Sequence, residues 1–236
     1  MFKKTFAVAG SLAAAVLAFS PLAQAGSVSS LTFSLTGWNA STPGSNSSSP
    51  NQQANASNPI MTAGNLFVMG TMTGLPNWCV SGKGCNGGPN TFSNFISNGG
   101  NGGTNWVGAP WTSGGGLSTT LSTSNYQSAS LLELTFSISN TWGGSITHDD
   151  GMSIYNSAGT CVVCRPNPTI AETTTFSNLA AGTYHLYYVE ANGAPSQLTF
   201  NSITEAPEPG ALALFGAGLL GCALFIGRRR RMSRSI

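Results

Sequence analysis

The body of this sequence is a succession of short segments in which apolar and polar residues alternate. Alternation with a period of two is typical of strands that bury one face. Gly, Asn, Pro or Ser separates nearly all of these segments, and between the two ends of the chain no stretch has helical periodicity. The alternating segments are residues 31–38, 65–72, 118–122, 131–139, 151–155, 173–176, 183–190 and 197–203. We therefore predict an all-β fold, an antiparallel β-sandwich or jelly roll, with helices only in an N-terminal signal segment and a C-terminal membrane span.

Two segments rich in Ser, Asn and Gly interrupt this pattern, at residues 39–58 and 98–116. They offer too little apolar surface to offset the entropy of ordering them, so we expect insertions that do not join the core. Trp106 and Trp111 lie in the second insertion. They either fold back to cover the sandwich or stay exposed, where indoles stack on sugar rings.

Charged residues are scarce and unevenly placed. They make up 7% of the chain, against about a quarter in an ordinary soluble domain. Between residues 26 and 207 there are two basic and six acidic side chains, a net charge of −4. A nucleic-acid binder needs a basic face to neutralise phosphates, so this composition excludes that class.

The N-terminal 25 residues have the pattern of a secretory signal peptide. Lys3 and Lys4 precede an apolar run over residues 6–19, and the segment ends in the small-x-small sequence Ala23-Gln24-Ala25. Signal peptidase accepts this pattern, so we predict cleavage after Ala25 and export of the chain. The exported domain is then expected to occupy residues 26–204.

The C-terminal segment, residues 205–236, has three parts in a fixed order. A Pro-Glu-Pro sequence (Pro207, Glu208 and Pro209) is followed by an uncharged stretch and then by Arg228, Arg229, Arg230 and Arg231. As a helix, residues 210–227 would be about 27 Å long, just enough to span the hydrocarbon core. Arginines resist translocation, so the tail at residues 228–236 is expected in the cytoplasm and the body outside.

This order of Pro-Glu-Pro, Gly-Ala-Leu-Ala-Leu, apolar helix and arginines resembles a PEP-CTERM sorting signal. The resemblance implies that the chain is exported and that its precursor lies in the inner membrane. The same resemblance implies recognition by an exosortase, a membrane enzyme that cuts near the Pro-Glu-Pro. It also implies a bacterium that makes exopolysaccharide and biofilm. A plain single-pass anchor without processing is the alternative, because the span and the charges alone fit it equally.

Four cysteines lie in the exported part of the chain: Cys79, Cys85, Cys161 and Cys164. In an exported protein they are expected to form two disulfides, with three possible connectivities. Pairing of nearest neighbours would staple two exposed hairpin tips. A redox role for Cys161-Val-Val-Cys164 is disfavoured, because this sequence falls between predicted strands and not at the start of a helix.

The densest polar cluster of the body is His148-Asp149-Asp150-Gly151. Two adjacent carboxylates need a cation, amide donors or water around them. Calcium takes oxygen ligands from loops, so we predict a calcium site at Asp149, Asp150 and Asn192, with Glu190 as a further candidate. A solvated turn whose aspartates cap local amides is the alternative.

Residues 131–203 resemble the second half of PA14-like β-sandwich modules. The resemblance lies in Asp-Asp-Gly before a strand, Leu-x-x-Gly-x-Tyr at residues 179–184, an aromatic–Glu pair and Asn192-Gly193. Several such modules bind glycans, some through a calcium ion held by the paired aspartates. The resemblance thus implies Asp149 and Asp150 as ion ligands.

We expect a non-catalytic surface or matrix protein that binds exopolysaccharide, with signal peptidase and exosortase as processing enzymes. An inert structural protein is the alternative. A polysaccharide hydrolase fits less well. Glu133 and Glu190 lie on separate predicted strands and could approach each other, but alternation does not require either to face a cleft. No Gly-x-Ser-x-Gly elbow is present.

Overall fold

The computed structural model describes residues 26–82, 84–85, 87–97, 104–206 and Gly218. The predicted signal peptide, Pro207, Glu208, Pro209 and the four arginines at 228–231 lie outside these residues, as does the predicted span apart from Gly218. Within the described ranges, no helix is both long and apolar enough to cross a membrane. Residues Gly26–Ala206 form a compact unit of their own.

The described residues of this unit form thirteen strands, one short helix and four 3-10 turns. The strands are β1 (Gly26–Ser27), β2 (Thr32–Ser41), β3 (Leu66–Thr73), β4 (Asn77–Val80), β5 (Asn105–Trp106), β6 (Trp111–Thr112), β7 (Ser128–Ile138), β8 (Trp142–Asp149), β9 (Met152–Asn156), β10 (Cys161–Arg165), β11 (Glu172–Leu179), β12 (Gly182–Glu190) and β13 (Ser196–Glu205). The helix is α1 (Phe92–Ser97), and the 3-10 turns are Pro50–Gln52, Ala63–Asn65, Gly116–Ser118 and Ser124–Tyr126.

The strands form two antiparallel sheets. The first has the order β1-β13-β8-β11, with β4 also paired to β13. The second has the order β10-β9-β12-β7-β2-β3-β5, with β6 also paired to β3. The prediction of an antiparallel all-β fold is confirmed.

The main apolar core draws on both sheets. Alternation along β2 points Phe33 and Leu35 inward, where they meet Ile146 and Leu198 of the first sheet in one buried cluster. Trp78 of β4 is fully buried and packs edge-on against the rings of Phe33 and Phe95. Burial of this aromatic group stabilises the packing between the sheets.

Strands β7 and β12 are buried on both faces at one end, which explains their continuous apolar runs. Leu132 and Tyr188 face the main core, whereas Leu131, Tyr187 and Val189 belong to a second buried cluster on the opposite face. The second cluster is completed by Ala54, Ile60, Ala129 and Ala191.

Ala54 corrects the expectation for residues 39–58. We expected this segment outside the core, but Asn39 to Ser41 belong to β2 and Ala54 is completely buried. The segment is ordered by polar contacts rather than by large apolar side chains. For example, the Asn58 side-chain amide donates to the Gln53 carbonyl at 2.7 Å, and its side-chain oxygen accepts the Ile60 N–H at 3.0 Å.

The insertion at 98–116 also differs from the expectation where it is described. Strands β5 and β6 pair with β3, and Trp106 packs against the core over Gly70, where a Cβ would lie 2.6 Å from the indole ring. Trp111 remains 48% exposed. The predicted strand at 118–122 is wrong, because only a single bridge, Thr91 to Thr120, forms there.

The cysteines form two disulfides, Cys79–Cys85 and Cys161–Cys164. Two details of the prediction are corrected. Cys79 is buried in β4 rather than at an exposed tip. Cys161 and Cys164 lie within β10, whose pairing with β9 shifts register between Cys161 and Val163.

Candidate functional site

Three connections of the sandwich, together with Ser47 and Tyr126, line one open cavity of about 650 Å³. Asp149 ends β8, and Asp150 follows it across a cis peptide bond. Residues 192–195, between β12 and β13, and residues 168–171, between β10 and β11, line the same cavity. The predicted site residues Asp149, Asp150 and Asn192 are therefore brought together.

Gly151 allows the connection between β10 and β11 to pack against the Asp149–Asp150 turn. A Cβ at this position would lie 2.4 Å from the carbonyl oxygen of Pro166 and 2.9 Å from that of Asn167. No side chain fits at such distances. The glycine of the Asp-Asp-Gly sequence is thus required by a close backbone approach, not by turn conformation alone.

The Asp150 carboxylate is held by backbone amides. Its Oδ2 accepts the N–H groups of Ala191 at 2.8 Å and Asn192 at 3.2 Å, and the amide of Thr169 also donates to it. Burial raises the pKa of Asp150 to about 6, although these three amide bonds act in the opposite direction.

The Asp149 carboxylate is as enclosed as its neighbour, since each residue is 5% exposed. Burial, followed by repulsion from Asp150, raises the pKa of Asp149 to about 7, and one amide bond from Ala171 acts against this. Two buried carboxyl groups thus lie in one cavity, and the charged form of each is disfavoured.

Neither aspartate has a cationic side chain as a partner in the part of the chain that the structure describes. The ion pair found there is Arg165–Glu172, and the rings of His148 and His185 lie beside the carboxylates of Glu172 and Glu133, at 3.4 and 2.7 Å. Among the described residues, backbone amides and no cationic side chains therefore offset the negative potential of the cavity.

Glu190 does not reach the cavity. It is completely buried and accepts the Ser122 hydroxyl at 2.7 Å through Oε1. Burial and the charge of Asp150 hold the pKa of Glu190 well above its usual range. Its suggested part in an ion site is wrong, because period-two alternation places it, like Tyr188, on the inner face of β12.

The Tyr188 hydroxyl contacts two oxygens but has one proton to give. It lies against the Asp149 carbonyl and 3.0 Å from Glu190 Oε2. A carbonyl can only accept, so the phenol donates to Asp149 and the second hydrogen bond takes its proton from Glu190. The raised pKa of Glu190 agrees with a neutral carboxyl group.

His148 lies beneath the aspartate turn and is completely buried. Its Nδ1 is 2.7 Å from the Asp150 carbonyl and its Nε2 is 2.9 Å from the Thr174 hydroxyl. Burial lowers the pKa of His148. A neutral ring that donates from Nδ1 to Asp150 and accepts at Nε2 satisfies both contacts, so this histidine supports the turn.

Asn192 is exposed at the mouth of the cavity, and its side-chain oxygen accepts the Asn125 N–H at 3.0 Å. Within the described ranges, no group of three or more His, Cys, Asp or Glu side chains is placed to hold a metal ion. An ion at Asp149 and Asp150 would thus take its other ligands from amide or carbonyl oxygens, water or a bound molecule.

Sequence reasoning missed the amides of Thr169 and Ala171 and the wall formed by Tyr126. Every residue except proline has a backbone N–H group, so the residue pattern does not indicate which amides donate to the site. The only signal was indirect: Pro166 and Pro168 mark a non-regular connection after β10.

Comparison with known families decides the nature of the C-terminal segment. Residues 205–231 match the family model described as PEP-CTERM protein-sorting motif. The chain carries a PEP-CTERM sorting motif. This motif implies processing by an exosortase and a location at the cell surface or outside the cell. The match begins at Glu205, the last residue of β13, and Ala206 still donates its N–H to Thr141 at 2.8 Å.

Two solved structures are similar to this chain, and both are PA14 domains. The first is a PA14 sugar-binding domain from an RTX adhesin, 15% identical, with a TM-score of 0.44, covering 75% of this chain and 99% of that one. The second is the PA14 domain of the MpAFP antifreeze protein, 13% identical, with a TM-score of 0.44, covering 79% and 89%. Among curated proteins, none matches the sequence.

Proposed function

We propose that the protein is a non-catalytic surface or matrix protein that binds exopolysaccharide through a calcium ion held by Asp149, Asp150 and Asn192. The observation that carries this proposal is the pair of buried aspartates that line an open cavity and have no cationic side chain as a partner among the residues that the structure describes. A protein gains nothing in stability by enclosing two like charges in this way. Such an arrangement is expected where a cation is to be bound.

Calcium fits the chemistry of this cavity. It prefers six to eight oxygen ligands from loops, and the two carboxylates with the Asn192 side-chain oxygen supply part of that shell. A divalent ion would also favour the charged form of both carboxyl groups and so lower their pKa values. Calcium binding is therefore expected to weaken as the pH falls below about 7, where Asp149 takes up a proton.

A saccharide is the ligand that this incomplete shell favours. Vicinal hydroxyl groups are neutral oxygen donors that can replace water on a bound calcium ion. The cavity volume of about 650 Å³ lies within the usual range of about 300 to 1,000 Å³ for small-molecule sites. Tyr126 and Ile170 add apolar surface at the wall, which suits the C–H face of a sugar ring.

The positions of the acidic residues argue against a hydrolase. Glu133 and Glu190 lie on opposite faces of the second sheet, since Glu133 pairs with His185 at 2.7 Å while Glu190 lies inside. They cannot flank one glycosidic bond. We therefore assign no catalytic residue.

The route to the surface follows from the two ends of the chain. Signal peptidase removes residues 1–25, the span at 210–227 holds the precursor in the inner membrane, and Arg228 to Arg231 stay in the cytoplasm. Exosortase then acts near Pro207, Glu208 and Pro209. The exported domain joins the surface or matrix of a biofilm-forming bacterium.

Isothermal titration of the exported unit, residues 26–206, with calcium chloride at pH 7.5 tests the ion site. We expect the wild-type unit to bind calcium and Asp149→Asn to bind it at least about tenfold more weakly, because half of the carboxylate charge is lost. Glu133→Gln is the matched control, since it removes the same charge on the far face of the second sheet. Absence of calcium binding by the wild type, or equal affinity in Asp149→Asn, refutes the site.

A further inference from the structure

Three buried polar residues lie directly beneath the cavity without lining it: Ser122, Tyr188 and Glu190. Packing alone does not require their polar groups. The Tyr188 ring already stacks on Phe95, with ring centroids 5.4 Å apart, and an apolar side chain at either neighbouring position would avoid the cost of desolvation.

These residues form an unbroken chain of hydrogen bonds between two walls of the cavity. At one end the Tyr188 hydroxyl donates to the carbonyl of Asp149. The same hydroxyl is 3.0 Å from Glu190 Oε2, and Glu190 Oε1 accepts the Ser122 hydroxyl at 2.7 Å. At the other end Ser122 Oγ accepts the N–H of Gly193 at 2.8 Å.

Asp149 ends β8, Gly193 lies in the connection after β12, and both line the cavity. A side branch reinforces the second wall: Asn90 Nδ2 lies 3.4 Å from Glu190 Oε1, and Asn90 Oδ1 accepts the Ser196 hydroxyl at 2.7 Å. The links from the Asp149 carbonyl through Tyr188 and Glu190 to Ser122 are buried, so water does not compete for these bonds, and each bond polarises the next. The links to Gly193 and from Asn90 are partly buried.

We propose that Ser122, Glu190 and Tyr188 are positioning residues that fix the Asp149 wall of the cavity relative to the Gly193 wall. This inference rests on the proposed function, since the walls that it fixes are those that carry Asp149 and Asn192. A site that is held rigid before the ligand arrives loses less conformational entropy on binding, which raises affinity. The chain thus acts on the ion through geometry, without touching it.

Tyr188→Phe, Ser122→Ala and Glu190→Gln in residues 26–206 separate positioning from packing. The first two variants each remove one hydroxyl group, and with it two hydrogen bonds of the chain, and keep the surrounding shape. In Glu190→Gln the amide accepts from Ser122 through its oxygen and donates to Tyr188 through its nitrogen, so this variant preserves the chain. Tyr184→Phe is the matched control: Tyr184 is also buried on β12, but its hydroxyl donates to Ala180 at 2.7 Å, outside the cavity.

Two measurements decide the outcome, both made well below the unfolding temperature of every variant. Hydrogen exchange of the amides of residues 149–151 and 191–195, without calcium, reports the walls directly. Calcium titration reports the consequence for binding. We expect faster exchange in both segments and a calcium Kd raised about three- to tenfold in Tyr188→Phe and Ser122→Ala, because the lost hydrogen bonds affect the ion only through the walls. Glu190→Gln and Tyr184→Phe should match the wild type in both measurements.

Exchange that is unchanged in Tyr188→Phe and Ser122→Ala, or equally increased in Tyr184→Phe, overturns the positioning role. Unchanged calcium affinity despite faster exchange also overturns it. If the wild type binds no calcium, the proposed function fails. The positioning role is then still established if exchange is slow in the wild type and faster in Tyr188→Phe and Ser122→Ala.

Discussion

Oδ2 of Asp150 lies 2.8 Å from the amide nitrogen of Ala191, 41 residues later in the chain. This contact joins the connection after β8 to the connection after β12. It places the acidic turn and Asn192 at one cavity, because the next amide, that of Asn192, also donates to the same oxygen. The site is therefore a product of the sandwich topology and not of the Asp-Asp-Gly turn by itself.

The first prediction concerns pH in the absence of calcium. The pKa values of Asp149 and Asp150 are raised to about 7 and about 6, above the usual 3.8. The folded state thus binds more protons than the unfolded state between about pH 4 and pH 7, so their contribution to stability is lost as the pH rises through that window. We expect Asp149→Asn to be more stable than the wild type at pH 7.5 in chelator, with the difference disappearing near pH 4.

Thermal unfolding of both proteins at several pH values measures this difference. His148 acts in the opposite direction, since its lowered pKa makes acid destabilising below about pH 6.5. Its contribution is common to both proteins and cancels in the comparison. A difference that does not vary with pH would show that Asp149 titrates normally.

The second prediction concerns Gly151. In Gly151→Ala the new methyl group meets the carbonyl oxygen of Pro166 at 2.4 Å, so the connection after β10 must move. We expect a loss of about 1–3 kcal/mol in the free energy of unfolding and weaker calcium binding. Gly64→Ala is the control, because no atom lies within 4 Å of its Cβ position. Denaturant titration compares the two, and equal stabilities would contradict the close approach.

The third prediction tests whether the Ser- and Asn-rich segment is packed. Ala54 is completely buried against the second sheet, whereas Ala56 is exposed two residues later. Ala54→Glu should lower the free energy of unfolding by about 3 kcal/mol or more, because it buries an unpaired charge. Ala56→Glu should change it by less than about 0.5 kcal/mol. Similar values for both variants would mean that this segment does not cover the sheet.

The fourth prediction separates the two tryptophans of the second insertion. Trp106→Ala should cost about 2 kcal/mol of stability, because the indole packs over Gly70 and against the core. Trp111→Ala should cost less than about 0.5 kcal/mol, since this side chain is 48% exposed. Urea unfolding distinguishes them, and the opposite order would contradict the packing of β5 on β3.

Much of the sheet structure could be predicted from the sequence, because β2, β7, β12 and β13 alternate clearly or are continuously apolar. Strand β8 was missed. Gly143 and Gly144 disfavour a strand by local propensity. The pairing of β8 with β13 nevertheless shifts register between Phe200 and Ser202. At this shift a Cβ on Gly144 would lie 2.3 Å from the Ser202 carbonyl oxygen, so a glycine is needed there. Such a tertiary requirement is invisible in local propensity.

The candidate site could be predicted only in part. Asp149, Asp150 and Asn192 were identified because side-chain oxygens near turns are recognisable in a sequence. Glu190 was misassigned, since its polarity suggested a ligand while its register placed it inside. The amides of Thr169 and Ala171 and the hydroxyl of Ser122 act through long-range contacts that no local pattern encodes.

The central claim is that calcium at Asp149 and Asp150 mediates binding to polysaccharide. The most direct measurement is retention of purified residues 26–206 on exopolysaccharide from the producing bacterium, with calcium or with a chelator. We predict retention with calcium, release by the chelator, loss in Asp149→Asn and retention in Glu133→Gln. Absence of wild-type binding in either condition, or binding that is insensitive to the chelator and to Asp149→Asn, would contradict the claim and leave a sorted structural protein.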